Sequence, residues 1–278
     1  MEKLSDYFET RRVMVQESIR LVREDSEKHT GKVLGLWLMP LMIRGSAIGK
    51  DAYFFMRHVD DVADGDLKIE GDPLAYLQKL KNDISESAED AIYPIEYLAS
   101  RSLRVLEKRK KAGDDPKKDF LDGIDVAIRD FNRVKNREVL EINDVRKYYA
   151  DSFSPHFNIM LTAIRSNLRG RDVGIFSNCQ GFAYGVQDFD IDWKRGLINI
   201  PKEVLSVSGF NAASKFDDVW NSRIVREWIR DESSKNRQDL DLFFGSISLL
   251  DDEKAANLLF KSLGRRVKNI LETNMELR

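Results

Sequence analysis

Cysteine is almost missing from this chain: a single residue, Cys179, leaves no intramolecular disulfide and no zinc site built on cysteine pairs. A reducing compartment suits such a chain. An excess of either charge is also missing, because 45 Lys and Arg stand against 47 Asp and Glu, so no bulk attraction to nucleic acid or to an anionic membrane is expected. The most apolar stretch, Val33 to Ile43, is interrupted by Pro40 and falls far short of the roughly 20 residues that cross a bilayer. No transmembrane segment is expected, and peripheral membrane contact stays open. The opening MEKLSDYFETRR carries acids and aromatics where a secretory signal would have a basic start and an apolar run, so cytoplasmic residence is the expectation. Glycine-rich phosphate cradles of the G-x-G-x-x-G or G-x-x-x-x-G-K-[ST] kind do not occur, which leaves no nicotinamide fingerprint and no P-loop. No Pro/Gly/Ser-rich linker and no internal repeat divides the chain, and residues 1–278 read as one domain.

What is present is a composition of 42% hydrophobic and 33% charged residues, which folds around a sizeable core inside a charged surface. Apolar residues recur three and four apart, as in Ile124, Ile128 and Phe131 or Leu259, Leu263, Val267 and Leu271, while sustained alternation is hard to find. That periodicity predicts an all-α protein. Punctuation at Pro40, Gly65 to Asp66, Gly71 to Pro73, Gly113 to Pro116, Gly170 to Gly174 and Pro201 divides it into about eight to ten helices with short connections. Pro155 interrupts the hydrogen-bond ladder of an otherwise helical run and predicts a kink.

Two segments carry chemistry. In AIGKDAYFFMRHVDDVAD, from Ala47 to Asp64, the side chains of Tyr53, Arg57, Asp60 and Asp64 fall on one stripe roughly 60° wide at 100° per residue. Phe54, Phe55, Met56, Val59 and Val62 make the remaining faces apolar, which predicts a buried helix. A buried carboxylate pair needs a compensating cation, and Arg57 alone cannot satisfy both acids, so the pair calls for a metal. In FSNCQGFAYGVQDFDIDW, from Phe176 to Trp193, Asp188 and Asp192 repeat the i, i+4 spacing, with Asp190 pointing elsewhere. Gly181, Gly185 and Tyr184 lie on or beside that face and leave room for a ligand to approach the backbone. Oxygen ligands in pairs, without sulfur and with few imidazoles, favour Mg²⁺ bound together with substrate phosphates. Two such helices facing each other across a bundle would hold a diphosphate and suit ionisation of an allylic diphosphate.

A lone D-x-x-x-D in so acidic a helical chain is commonly a solvated face; the apolar setting of the first motif, its aligned Tyr53 and Arg57, and its recurrence favour the chemical reading. His58, off the acid stripe, and His156, beside Pro155, read as packing. The run Glu107 to Lys111, with Lys117 and Lys118, reads as a solvated helix end.

At these residues the chain resembles the squalene/phytoene synthase family. The stretch Leu38 to Asp64 is similar to that family's Leu-Pro (here Met39-Pro40), following Arg, and aromatic-rich helix ending in Arg-x-x-Asp-Asp-x-x-Asp. Asp188 to Pro201, DFDIDWKRGLINIP, resembles its second acidic motif, and Tyr149 to Leu161, YADSFSPHFNIML, its substrate-lining helix. The departures are His29, Thr30, Gly31 and Lys32 in place of a serine-rich segment, Tyr184 and Gln187 at the usual Asn and Arg, Ile191 ahead of Asp192, and Leu197 at a usual Arg. Lys32 reads as an exposed lysine in that replaced segment.

The resemblance implies an all-helical isoprenoid-synthase bundle with a central cavity and a Mg²⁺-dependent head-to-head condensation of two farnesyl or geranylgeranyl diphosphates. Asp60, Asp64, Asp188 and Asp192 would then hold Mg²⁺, facing one another across the cavity. Arg57, with Arg44, Lys194 or Arg195, would add positive charge, and Tyr53 and Tyr149 would orient diphosphate or shield a cation. Phe153, Phe157, Gly181, Tyr184 and Gly185 would line the prenyl pocket. NADPH use is neither indicated nor excluded. A terpene cyclase of the same fold and a non-catalytic assembly protein derived from it remain alternative readings.

Overall fold

The structure is a computed structural model and describes residues 4–24, 33–34, 37–41, 43–86 and 94–277. The fold is all-α, as the periodicity predicts. The α-helices whose bounds lie within the described residues are α1 (Leu4–Glu24), α2 (Ser46–Asp64), α3 (Pro73–Glu86), α4 (Glu96–Leu106), α5 (Pro116–Asn136) and α6 (Ile142–Ala163). They continue with α7 (Gly174–Gln187), α8 (Phe189–Arg195), α9 (Lys202–Ser208), α10 (Phe216–Trp220), α11 (Arg223–Ser248) and α12 (Lys254–Met275). Helices outnumber the expectation because the helix read over Phe176 to Trp193 divides at Asp188 into α7 and α8, and the short helices α9 and α10 follow Pro201. No strand occurs among the described residues, only an isolated parallel bridge between Val139 and Ile198. None of their helices is long and apolar enough to cross a membrane.

Several breaks fall where the sequence places them. Pro73 and Pro116 open α3 and α5, at the position where a missing N–H costs nothing. Gly65 ends α2 with φ 75°, a left-handed conformation that glycine adopts without strain, and its N–H closes on the Val62 carbonyl at 3.2 Å. α6 runs as helix through Pro155, which lies inside it.

The chain divides into two compact units, Met1–Ile128 with Pro155–Asn167, and Arg129–Ser154 with Leu168–Arg278. The boundary falls inside α5 and inside α6, so each of these helices contributes to both units.

In the first unit α2 packs on α1, α3 and α4. Thirteen of its 19 residues are buried, as expected for a helix that is apolar around most of its circumference. Gly49 sits where a Cβ would meet the sulfur of Met160 at 2.3 Å, so helix α2 and the Met160 side chain approach closely there. The basic run after α4 is more than a solvated end. Arg109 is half-buried and donates to the carbonyls of Gly45 and Ala163, and Lys111 donates to the Ser166 carbonyl at 3.2 Å. These cations satisfy carbonyls at the end of α6, where the helix dipole also favours positive charge.

In the second unit α7 packs on α11 and α12. Phe176 meets Phe243 and Phe260 with ring centroids 5.3 and 4.9 Å apart, and Phe244 completes the cluster. Cys179 lies in the same core, its thiol donating to the Asn236 carbonyl at 3.2 Å, and burial pushes its pKa up to about 12, which makes it an inert packing residue. α8 is pinned by the buried Phe189, which packs on Phe216 and Trp220 and on the equally buried Trp193 one turn along. The Trp193 indole N–H donates to the Ser214 carbonyl at 3.1 Å.

Candidate functional site

The acid stripe of the first unit lies at the C-terminal end of α2, and its burial is distributed differently from the expectation. The Asp60 side chain is 51% exposed and Asp64 is half-buried, whereas the neighbouring Asp61 is completely buried. Asp61 accepts from Arg20 of α1 and forms an ion pair with Arg57 Nη2 at 2.5 Å, while Arg57 Nη1 donates to Asp60 Oδ2 at 2.8 Å. The expectation of a buried Asp60–Asp64 pair is therefore corrected: the buried acid is Asp61, and it is paired with two arginines. Burial raises the Asp61 carboxyl to about 6 against the opposing pull of Arg57 and Arg20. For Arg57, burial works against the charge, but Asp60 and Asp61 outweigh it and hold the guanidinium above its ordinary pKa.

Around this core the network extends to α1 and α3. Arg20 also pairs with Glu17 at 2.9 Å, Glu17 faces His58 Nδ1 at 3.6 Å, and His58 Nε2 shares a hydrogen bond of 2.9 Å with the Tyr76 hydroxyl. His58 thus takes part in a polar network where packing alone was expected. Tyr53 is half-buried, edge-on to Phe54 at 5.8 Å. Arg44 does not join the acids. It is exposed in the turn before α2, beside Arg109, and the rise of α2 from Ser46 alone puts about 21 Å between that end of the helix and Asp60. The segment His29 to Lys32 lies outside the described residues.

The second acid pair belongs to the second unit. Asp188 closes α7 and opens α8, and Asp192 N–H donates to its carbonyl at 2.9 Å, so the i, i+4 relation survives the change of helix. Both side chains are half-buried because they lie on the flank of α8, beside the Phe189–Trp193 face. Opposite them Asp190 pairs with Lys194 at 2.7 Å, with the lysine 67% exposed. Asp190 points elsewhere as expected, but it takes Lys194 with it, and the assignment of that lysine to a substrate is corrected. Arg195 is half-buried at the end of α8.

Tyr149, on α6, is 5% exposed and lies along α7. A Cβ on Gly181 would stand 2.6 Å from Tyr149 Cβ and Cγ, and one on Gly185 would stand 2.9 Å from its hydroxyl. The two glycines thus make a groove for the ring of Tyr149, which corrects the expectation that they leave room for a ligand. Burial raises the Tyr149 phenol, with Arg133 opposing and Asp192 adding to the shift; the hydroxyl stays protonated within the field of Asp192. Tyr184 is half-buried under the Arg266 guanidinium, 5.5 Å from its ring, and burial raises its phenol too, with Asp188 contributing. Phe153 is half-buried on α6 in this unit, and Phe157, on the part of α6 in the first unit, is buried.

The sequence reading missed Arg133 and Asn199. Arg133 is 1% exposed, donates to the Ile198 carbonyl at 2.8 Å and to Asn199 Oδ1 at 3.3 Å, and lies 4.4 Å from the centre of the Tyr148 ring. Asn199 Nδ2 in turn donates to Asp192 Oδ2 at 3.4 Å. No periodicity signals this, since Arg133 falls on the side of α5 opposite the buried stripe of Phe120, Ile124 and Ala127.

Among the described residues no group of three or more His, Cys, Asp or Glu is placed to hold a metal. Each pair nevertheless offers two carboxylates one helical turn apart, the donor number that Mg²⁺ takes when substrate phosphates and water complete its shell. The donor set of Asp60 with Asp64, and of Asp188 with Asp192, fits that ion. Comparison of the chain with protein-family models, with curated proteins and with solved structures finds no match in any of the three.

Proposed function

We propose that this chain is a Mg²⁺-dependent prenyltransferase of isoprenoid-synthase type that condenses two farnesyl or two geranylgeranyl diphosphates head to head. The observation that carries the reading is the recurrence, in an all-helical chain, of an i, i+4 aspartate pair beside phenols: Asp60 and Asp64 with Tyr53 and Arg57, Asp188 and Asp192 with Tyr149 and Tyr184. Mg²⁺ held by these carboxylates would supply charge to a departing diphosphate. Arg57, already oriented by Asp60 and Asp61, adds a fixed positive charge at the first pair. Tyr149, with a phenol that keeps its proton in the field of Asp192, offers a neutral hydroxyl beside the second. In the reaction the C1–O bond of one substrate breaks and diphosphate leaves. The C2=C3 bond of the other attacks the allylic cation, and loss of a proton closes a cyclopropylcarbinyl diphosphate. The reading includes cytoplasmic residence with peripheral membrane contact for an apolar product.

The test is incubation with farnesyl and geranylgeranyl diphosphates and Mg²⁺, with and without NADPH, followed by mass analysis. A product of two prenyl units is expected, and Asp60→Asn or Asp188→Asn should abolish it with the far-UV circular dichroism unchanged. A product of one prenyl unit would make the chain a cyclase, and no turnover would leave the assembly reading.

A further inference from the structure

Arg133 is a fully buried guanidinium, and among the described residues no carboxylate pairs with it. Burying a charge on neutral partners alone is costly, so the arrangement calls for an account beyond packing. Its two terminal nitrogens both reach Asn199 Oδ1 at 3.3 Å, and one also holds the Ile198 carbonyl at 2.8 Å. With the amide oxygen clasped in this way, the other end of Asn199 must present its NH₂, and that group faces Asp192 Oδ2 at 3.4 Å. A flipped amide would set oxygen against carboxylate and leave the guanidinium facing NH₂. The backbone supports the same arrangement, because Ile198 bridges to Val139 and the Lys202 N–H donates to the Leu140 carbonyl at 2.9 Å, fixing the segment that carries Asn199.

We infer that Arg133 is a positioning residue for the second acid pair: it locks the amide of Asn199, which in turn orients the Asp192 carboxylate. The inference rests on the reading of Asp192 as a metal-holding acid. The rival account is that Arg133 merely ties the 138–142 and 197–203 segments together, in which case its loss lowers stability and leaves Asp192 unaffected.

The experiment measures Mn²⁺ binding to the full chain in the presence of inorganic diphosphate, by loss of the free-ion electron paramagnetic resonance signal, so it does not depend on turnover. Wild type should bind, and Asp192→Asn should lose a site. Arg133→Met and Asn199→Leu should each weaken that site at least tenfold, about the effect of removing an outer partner of a metal ligand, and the double variant should be no weaker than the weaker single one. A folded Arg133→Met or Asn199→Leu that binds within about twofold of wild type overturns the inference. Should Arg133→Met fail to fold, Asn199→Leu decides alone, since it leaves Arg133 on the Ile198 carbonyl and the Tyr148 ring. Wild type without Mn²⁺ binding, or Asp192→Asn with undiminished binding, refutes the metal reading and the inference with it. That result is distinct from the one in which Asp192→Asn loses the site and the other two variants keep it.

Discussion

Gly181→Ala should destabilise the protein although it places the best helix former in the interior of α7. In a helix with open space the change would stabilise by about 1 kcal/mol. Here the new methyl would stand 2.6 Å from Tyr149 Cβ and Cγ, atoms near the backbone that cannot swing aside as a ring tip can. Carbon atoms need about 3.5 Å or more, so α6 and α7 must part by the better part of an ångström. Overpacking of this kind costs about 1–3 kcal/mol, which offsets the propensity gain and leaves a net loss of up to about 2 kcal/mol. The sharper test removes the ring. In a Tyr149→Ala background the obstruction is gone, and Gly181→Ala should become stabilising by about 1 kcal/mol, a reversal of sign with a coupling of about 1–3 kcal/mol. Gly185→Ala should cost less, because its methyl would meet only the mobile hydroxyl end of the ring at 2.9 Å. Thermal unfolding followed by circular dichroism reads each variant, with about 2–4 °C expected per kcal/mol. Gly181→Ala melting at or above wild type, or the same change in both backgrounds, would show that Tyr149 does not lie in the groove and would reopen that space to a ligand.

Gly264→Ala should be destabilising by up to about 2 kcal/mol net of the helix-propensity gain, since its methyl would meet Phe244 Cζ and fall 3.3 Å from Phe176, and Phe244→Leu should make it less destabilising; a Gly264→Ala that stabilises by the full propensity gain refutes the packing. Asp119 accepts from Asn158 Nδ2 at 2.8 Å, yet burial raises its carboxyl to about 6, helped by Asp122 and Asp115. A raised carboxyl pKa means that the folded state binds the proton more tightly, so this group's cost is absent below about pH 4 and complete above about pH 6. Asp119→Asn should therefore be more stable than wild type by about 1–2 kcal/mol at pH 8, after allowance for partial exposure, with the gain gone by pH 4. Chemical denaturation at the two pH values checks this, and a gain that grows toward low pH would refute it.

Periodicity, proline and glycine were enough to establish the helices, because each helix is a local object whose buried stripe recurs every three to four residues whatever it packs against. Gly65 and Pro116 mark real ends for reasons internal to the backbone, and the i, i+4 relation of Asp188 and Asp192 likewise needs only helical rise. The environment of each acid is a different matter. Asp60 and Asp61 are adjacent and chemically identical, and only the packing of α1, which brings in Arg20, makes one exposed and the other completely buried. Gly181 and Gly185 advertise open space in the sequence, but α6 fills it with Tyr149, a contact between residues 32 positions apart or more (181 minus 149). Arg133 is beyond any one-dimensional signal. α5 buries one side where it belongs to the first unit and the other where it belongs to the second, so the buried phase changes partway along a continuous helix. Which charged side chain ends up inside is settled by what covers it, and cover comes from parts of the chain that local periodicity does not record.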